Sequence, residues 1–212
     1  MYRVTKPGGV VVWVVGDATI NGSETGTSFR QALYFMGLGF NLHDTMIYAK
    51  KNFIPQLAKR YEPMFEFMFV FSKGYPKTFN PILEPCKTSG MTKNFARAGY
   101  PRGVGASGSQ RRRDEDVTVK ENKVHGNIFY YASGSNKTGH PAPFPERLAI
   151  DHVLTWSNPG DIVYDPFGGS GTTPKVAEML GRAWIVSEIS GEYCGMIRKR
   201  LGIRTEGIED LL

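Results

Sequence analysis

The order of hydrophobic and polar positions predicts alternating strands and helices. The β-branched run Val10–Val15 is bounded by glycine-containing turns, which is typical of a strand buried on both faces of a parallel sheet. Apolar residues at positions 29, 32, 33 and 36 have helical spacing, and Thr27 or Ser28 would cap that helix. Three other short apolar runs predict further strands, at residues 42–48, 65–71 and 127–131.

The last third of the chain has the most regular alternation. Apolar positions predict an amphipathic helix over residues 145–156, which ends at Asn158-Pro159-Gly160. A strand, a helix, a second strand and a second helix are then predicted at residues 161–165, 174–180, 183–186 and 191–201. Such βαβα alternation indicates a parallel sheet with helices on both faces.

The segment over residues 87–123 has a different composition. It contains nine Lys or Arg and four Asp or Glu, so it carries five of the chain's net six positive charges. Its many glycines and few large aliphatic residues predict a long polar loop. Two hypotheses remain open: a solvated surface insertion whose charge is incidental, or an arm that contacts phosphates.

Composition excludes several classes of protein. A hydrophobic fraction of 41% is sufficient for a folded core in a chain of 212 residues. The two cysteines, Cys86 and Cys194, form no CxxC or Cys/His cluster, so neither a disulfide framework nor a structural zinc site is indicated. The apolar runs are too short to cross a membrane, and the N-terminus lacks a secretory signal. An intracellular protein is therefore expected.

A glycine-rich turn at residues 165–173 carries the clearest chemical signal. It lies between a predicted strand and a predicted helix, at the sheet edge where α/β folds bind ligands. Pro174 breaks the dinucleotide fingerprint, and the P-loop Gly-Lys-Ser/Thr is absent. Asp165 opens the turn and would suit a cofactor that carries an ammonium or sulfonium group. Glu188, just after the next strand, can accept both hydroxyls of a ribose.

The sequence Asp-Pro-Phe-Gly-Gly-Ser-Gly-Thr-Thr at 165–173 resembles the cofactor motif of the DNA amino-methyltransferases. These are the adenine-N6 and cytosine-N4 enzymes, and the order of motifs is similar to the permuted branch in which the cofactor half follows the catalytic half. The resemblance implies a Rossmann-like class I methyltransferase fold, with a mostly parallel sheet, helices on both faces, an antiparallel edge strand and an inserted basic loop. It also implies S-adenosylmethionine as cofactor, bound by Asp165, Pro166, Phe167, Gly168, Gly169, Ser170, Gly171, Thr172 and Glu188, with His140, Pro141 and Ala142 from an upstream His-Pro segment.

Other segments extend the resemblance over nearly the whole chain. Lys-Pro-Gly-Gly precedes the first strand, and Tyr48 stands where the family usually has the Trp of Trp-x-Lys-x-Asn. This implies that Tyr48 faces a flipped base. Asp17 follows the first strand at the carboxyl edge of the sheet and so is expected to border the base pocket, although it is about equally consistent with a turn or cap residue. Contacts to duplex DNA are expected from Lys50, Arg111, Arg112 and Arg113. The implied organisation is a catalytic half at 1–86, target recognition at 87–125 and a cofactor half at 126–212.

One family motif is missing. The catalytic Asp/Asn/Ser-Pro-Pro-aromatic motif normally precedes the Lys-Pro-Gly-Gly strand, and this sequence contains no Pro-Pro pair. That motif localises the lone pair of the exocyclic amine and stacks the base, so no catalytic residue is assigned here. We expect a truncated or split restriction-modification-type DNA methyltransferase in the cytoplasm of a bacterial or phage-infected cell.

Several alternatives remain open at this point. The chain is alternatively a catalytically incompetent module that binds cofactor and DNA beside a partner chain with the missing motif, or an RNA or small-molecule methyltransferase of similar fold. A homodimer is also open, with an exposed 65–71 strand as one route.

Overall fold

The computed structural model describes residues 1–51, 59–93, 117–132 and 144–203. Within these ranges the chain forms two compact units. The larger comprises Met1–Asn80 with Gly126–Leu212, and the smaller is Pro81–His125. The smaller unit therefore begins before residue 87, the boundary expected from charge, because a strand at Leu83–Pro85 pairs with one at Asn122–Val124.

The described residues form twelve strands and four helices. The strands are β1 (Val10–Val15), β2 (Thr19–Ile20), β3 (Ser23–Glu24), β4 (Asn41–Lys50), β5 (Phe65–Ser72), β6 (Leu83–Pro85), β7 (Thr92–Lys93), β8 (Val117–Thr118), β9 (Asn122–Val124), β10 (Ile128–Tyr131), β11 (Ile162–Asp165) and β12 (Ala183–Val186). The helices are α1 (Thr27–Gly37), α2 (Glu146–Trp156), α3 (Thr172–Met179) and α4 (Gly191–Leu201).

A four-stranded sheet of order β1-β5-β4-β10 forms the centre of the larger unit. β5 runs antiparallel to β1 and β4, whereas β10 is parallel to β4. The antiparallel strand was expected at an edge, and this detail is wrong because β5 lies between two strands. The continuous apolar run over the second half of β5 is buried on both faces, as an interior position requires. β5 is therefore not an exposed route to a homodimer.

Helices cover both faces of this sheet. Phe69 and Phe71 of β5 pack in a cluster with Phe35 of α1. Met68 and Val70, which point to the opposite face, pack in a second cluster with Leu148 of α2. The α/β class with helices on both faces is thus confirmed.

β11 and β12 form a separate parallel pair. The same helix α2 that packs against the larger sheet also contributes Ala149 and Val153 to a cluster with Val176 of α3, and Val163 of β11 packs against it.

β1 was expected to be buried on both faces, but Val14 is 37% exposed. This expectation is wrong because β1 is an edge strand and pairs only with β5 among the described residues.

The smaller unit contains more regular structure than the predicted polar loop. β6 pairs with β9 and β7 with β8, each in antiparallel order. Lys123 Nζ lies 2.8 Å from Glu84 Oε1 across the first ladder. The hydrogen bond from Lys123 lowers the pKa of Glu84. None of the helices in the described part of the chain has the length and apolar composition of a transmembrane span.

His152 of α2 is a buried histidine in the core of the larger unit. Its Nε2 lies 3.3 Å from Met68 Sδ, and burial lowers the pKa of its imidazole to about 4. The unfolded chain has a histidine pKa of about 6.5, so it binds more protons than the folded chain between these values. The free energy of unfolding should therefore fall as the pH drops from about 6.5 to about 4, by up to about 3 kcal/mol.

Urea denaturation of the His152→Gln variant across this pH range tests that expectation. The non-ionisable side chain should remove most of the slope, and His43→Gln, at an exposed position of β4, is the matched control. Equal slopes in wild type and His152→Gln would contradict the assignment.

Candidate functional site

The glycine-rich turn, residues 165–173, joins β11 to α3 and includes the first two residues of that helix. Asp165 ends β11 and accepts a hydrogen bond at Oδ1 from the Phe167 amide, at 2.9 Å. The backbone carbonyl of Asp165 accepts from the Ser187 amide, also at 2.9 Å. The Asx-type bond to Phe167 turns the chain immediately after the strand and holds the acidic side chain at the sheet edge.

Two glycines of the turn are required by close packing. The Gly168 amide donates to the Ser187 carbonyl at 2.9 Å, and a Cβ at position 168 would overlap Val186 Cγ2. Gly171 has a φ of 77° and is the N-cap of α3. A Cβ there would lie 3.2 Å from Ile197 Cγ1 of α4. The turn therefore lies directly on α4 and on the end of β12.

Glu188 connects the turn to the segment after β12. Its Oε2 accepts from the Gly169 amide at 2.7 Å, and its Oε1 accepts from the Ser190 amide at 2.9 Å. The two carboxylate oxygens therefore bind backbone amides of both segments that border the site. The structure thus brings together Glu188 and the glycine-rich turn, which are separated along the sequence.

Phe167 projects from the turn and is mostly exposed. Its ring lies edge-on to Trp13 of β1, with 5.8 Å between ring centroids. Trp13 in turn donates from Nε1 to Gln31 Oε1 of α1 at 2.7 Å. The edge of the glycine-rich turn therefore meets the four-stranded sheet through this aromatic pair.

Asp17 accepts hydrogen bonds from the first turn of α1, although the N-cap residue of that helix is Gly26. Its Oδ1 accepts from the Ser28 amide and from Thr25 Oγ1, each at 3.1 Å, and its Oδ2 accepts from Ser28 Oγ. The hydrogen bond from Ser28 lowers the pKa of the Asp17 carboxyl. The carboxylate thus stabilises the first turn of α1. A role for Asp17 beside a base remains a prediction.

Tyr48 is buried in the core of the larger unit. Only 5% of the residue is exposed, and its ring packs against Tyr131 in the core cluster that contains Met68. Burial raises the pKa of the Tyr48 hydroxyl. Alternation along β4 points residue 48 into the core, and contact of this ring with a flipped base stays a prediction.

Lys50, expected to contact DNA, forms an ion pair within the sheet. Its Nζ lies 2.7 Å from Glu66 Oε1 of β5, and both side chains are partly exposed. The neighbouring carboxylate offsets the charge that would attract a phosphate. The other expected contacts, His140, Pro141 and Ala142 for the cofactor and Arg111, Arg112 and Arg113 for DNA, lie outside the described residues.

The sequence reasoning missed three charged residues next to the turn. Arg200 of α4 donates to the Ser170 carbonyl at 3.0 Å, and Glu146 of α2 accepts from Arg200 and from Lys175 of α3. Isolated charged residues on three helices have no spacing that would reveal such a cluster. Only the i, i+3 relation of Ile197 and Arg200, which places both on one face of α4, gives a local signal.

Comparison with known proteins identifies the family. A family profile described as DNA methylase matches residues 1–199. The chain belongs to the DNA methylase family. This DNA methylase is 50% identical over 208 residues to the orphan methyltransferase M.BamHII of Bacillus amyloliquefaciens, covering 95% of this chain and 77% of that protein.

A second relative is the DNA adenine methyltransferase YhdJ of Escherichia coli K12, 37% identical over 141 residues. The match covers 62% of this DNA methylase and 47% of YhdJ. Matches of this chain also span 59%, 43% and 51% of the type II methyltransferases M.HpaI, M.BamHI and M.BglII. The chain thus spans about half the length of several curated relatives.

Solved structures show the same fold. The PvuII DNA methyltransferase, described as cytosine-N4-specific, superimposes with a TM-score of 0.66 at 21% identity, over 97% of this chain and 68% of that one. TTHA0409 of Thermus thermophilus, solved with S-adenosyl-L-methionine, gives a TM-score of 0.60 at 20% identity, over 98% and 74%. The class I methyltransferase fold is therefore confirmed.

The family implies S-adenosylmethionine as the cofactor of this DNA methylase, and the described residues fit it. Gly169 has no side chain of its own, so a ligand can approach its backbone closely. Glu188 provides a carboxylate after β12, at the place where an acidic residue binds ribose hydroxyls in folds of this type. Asp165 places a carboxyl group beside the same turn, as a cationic ligand would require.

Proposed function

We propose that this chain binds the cofactor of a DNA amino-methyltransferase, an enzyme that transfers a methyl group from S-adenosylmethionine to the exocyclic amine of adenine or cytosine in duplex DNA. The proposal rests on the hydrogen bond from the Gly169 amide to Glu188 Oε2. This bond holds a carboxylate, which can accept hydrogen bonds from ribose hydroxyls, beside a segment that contains three glycines, at positions 168, 169 and 171. Family membership supports the reaction class. Bacterial relatives favour the bacterial cytoplasm as its location.

Three residues would hold the cofactor. The Glu188 carboxylate would accept from the ribose hydroxyls, while Gly169 would permit close approach of the adenosyl group. The Asp165 carboxylate would face the cationic groups of the methionyl portion. When bound, the cofactor supplies an electrophilic methyl group on a sulfonium.

Target recognition is proposed for residues 87–125. Five of the net six positive charges of the chain fall within residues 87–123, and this charge favours contact with a phosphate backbone. Arg111, Arg112 and Arg113 form the densest basic run there, whereas Lys123 is already paired with Glu84. We therefore expect the arginine run to contribute more to DNA affinity than Lys123.

A second candidate function is a binding module that works beside a partner chain carrying the missing catalytic motif. Two features favour it. β1 and β11 are both edge strands among the described residues, and each ends near an acidic residue, Asp17 or Asp165. Their exposed apolar side chains, including Val14 and Ile162, suit pairing with a further strand. A partner strand there would bring its residues next to the proposed cofactor site.

Methyl transfer by the purified chain tests both functions. The chain is incubated with labelled S-adenosylmethionine and unmethylated duplex DNA, alone or with the part of M.BamHII outside the matched 208 residues as a separate polypeptide, and nucleosides are analysed by mass spectrometry. N6-methyladenine or N4-methylcytosine from the chain alone would support a complete enzyme and contradict the need for a partner. Product only with the added polypeptide would support the partner.

Two further results are decisive. Absence of cofactor binding in a calorimetric titration would contradict the proposed function itself. Preferential methylation of structured RNA in a competition with duplex DNA would instead favour an RNA methyltransferase of similar fold.

A further inference from the structure

Three charged side chains from three helices meet beside the glycine-rich turn. Lys175 Nζ of α3 donates to Glu146 Oε1 at 3.1 Å and to Oε2 at 2.8 Å. Arg200 Nη2 of α4 lies 3.3 Å from the same Glu146 Oε2 at the start of α2. We name Glu146, Lys175 and Arg200 the charged cluster. It connects the first turns of α2 and α3 with the last turn of α4.

Arg200 also binds the turn itself. Its Nη1 donates to the Ser170 carbonyl at 3.0 Å and approaches Ser170 Oγ at 3.4 Å and Thr172 Oγ1 at 3.2 Å. Ser170 and Thr172 are both buried, so water cannot readily replace these bonds. One guanidinium therefore holds the turn through Nη1 and Glu146 through Nη2.

The position of Arg200 follows from the packing of α4. Ile197 is buried beneath Gly171, with its Cα 3.4 Å from where a Cβ of residue 171 would lie. Arg200 stands three residues further along the helix and so lies on the same face. α4 thus contributes an apolar floor and a hydrogen-bond donor to the same turn.

The turn needs such support because of its composition. Glycines at positions 168, 169 and 171 have more conformational freedom than other residues, and ordering them on binding would lower affinity. Contacts that fix the turn before the ligand arrives remove part of that cost. Glu146 also offsets the charge of Lys175, which would otherwise lie unfavourably near the positive end of the α3 dipole.

We propose that Arg200 is a positioning residue, which, held by Glu146, keeps the glycine-rich turn in its cofactor-binding conformation. The inference rests on the proposed cofactor site. The planar guanidinium is essential, because it reaches the turn and Glu146 with two separate nitrogens. A lysine at position 200 retains the charge but presents a single nitrogen, so it cannot hold both partners in this geometry.

The test compares Arg200→Lys with Arg198→Lys, a matched change at an exposed position of the same last turn. Affinity for S-adenosylmethionine and S-adenosylhomocysteine is measured by calorimetry, and thermal unfolding of the ligand-free proteins is measured alongside. Amide hydrogen exchange of residues 165–175 is followed in the ligand-free state. Arg200→Lys should bind both ligands about tenfold more weakly and exchange faster within the turn, with a small change in Tm.

The outcomes separate the inference from the proposed function. Affinity of Arg200→Lys within twofold of wild type, with unchanged exchange in the turn, would overturn the positioning role while leaving cofactor binding intact. Equal losses in Arg198→Lys would also overturn it, because charge or helix stability would then explain the effect. Failure of wild type to bind either ligand would instead contradict the proposed function and the inference with it. Glu146→Gln combined with Arg200→Lys should weaken affinity less than the two single changes would together, since both disrupt one contact.

Discussion

Replacement of Gly168 with alanine is expected to weaken cofactor binding strongly and to destabilise the larger unit. The added Cβ would overlap Val186 Cγ2 and lie 3.0 Å from Ile197 Cδ1, so the turn must lift away from the end of β12 and from α4. Overpacking of this kind costs about 1–3 kcal/mol. The displacement would also separate the Gly169 amide from Glu188, and we expect affinity for S-adenosylmethionine to fall by at least about a hundredfold.

Gly195→Ala is the matched control for this change. Gly195 lies within α4, and a Cβ there would meet nothing within 4 Å. Because alanine is the better helix former, this variant should gain about 0.5–1 kcal/mol in the free energy of unfolding and bind the cofactor normally. Urea denaturation and calorimetric titration measure both quantities. Gly168→Ala with wild-type affinity would contradict the close packing of the turn.

Glu188→Gln is expected to weaken cofactor binding about a hundredfold, which corresponds to about 2.7 kcal/mol. The substitution preserves size but replaces one accepting oxygen with a donating NH2 group. In the wild type, the two carboxylate oxygens accept hydrogen bonds from the Gly169 and Ser190 amides. In the variant, one of these amides would face the NH2 group, which is itself a donor, and would lose its hydrogen bond. Loss of the negative charge would also weaken any hydrogen bond from a ribose hydroxyl.

Glu192→Gln controls for the general loss of a carboxylate at the start of α4. Glu192 is exposed in the first turn of that helix, so the change should affect only a weak dipole interaction. Dissociation constants for S-adenosylmethionine and S-adenosylhomocysteine, measured for both variants, decide the assignment. A Glu188→Gln affinity within threefold of wild type would show that Glu188 supports the turn without contacting the ligand.

Local patterns predicted most elements of this protein. β1, β12 and α4 have the predicted bounds, and the other predicted helices and strands differ by a few residues at their ends. The two-residue strands β2 and β3 of the larger unit were not predicted. These segments have strong periodicity or clear boundary residues, which are local properties of the chain. The strands of the smaller unit were harder to predict from sequence, because they are only two or three residues long and their pairing partners are distant along the chain.

Some residues of the candidate site could be predicted from the sequence, and others could not. Residues 165–172 and Glu188 were identified because a glycine-rich turn after a strand and an acid after the next strand are features of one βαβ unit. Tyr48 was assigned to the base pocket from its place in a motif, yet the alternation of β4 points it into the core beside Tyr131. Arg200 was not assigned, because its contacts to Ser170 and Glu146 span 30 and 54 residues.

The α/β alternation, the glycine-rich turn and the family resemblance could be inferred from the sequence alone, since each depends on residues close together along the chain. Tertiary packing places β5 between β1 and β4, buries Tyr48 and brings Asp17 to the first turn of α1. Tertiary packing also brings together the charged residues at the turn. These features depend on which distant segments pack together. The local sequence pattern does not specify these contacts, because many residues of the same chemical type fit that pattern equally well.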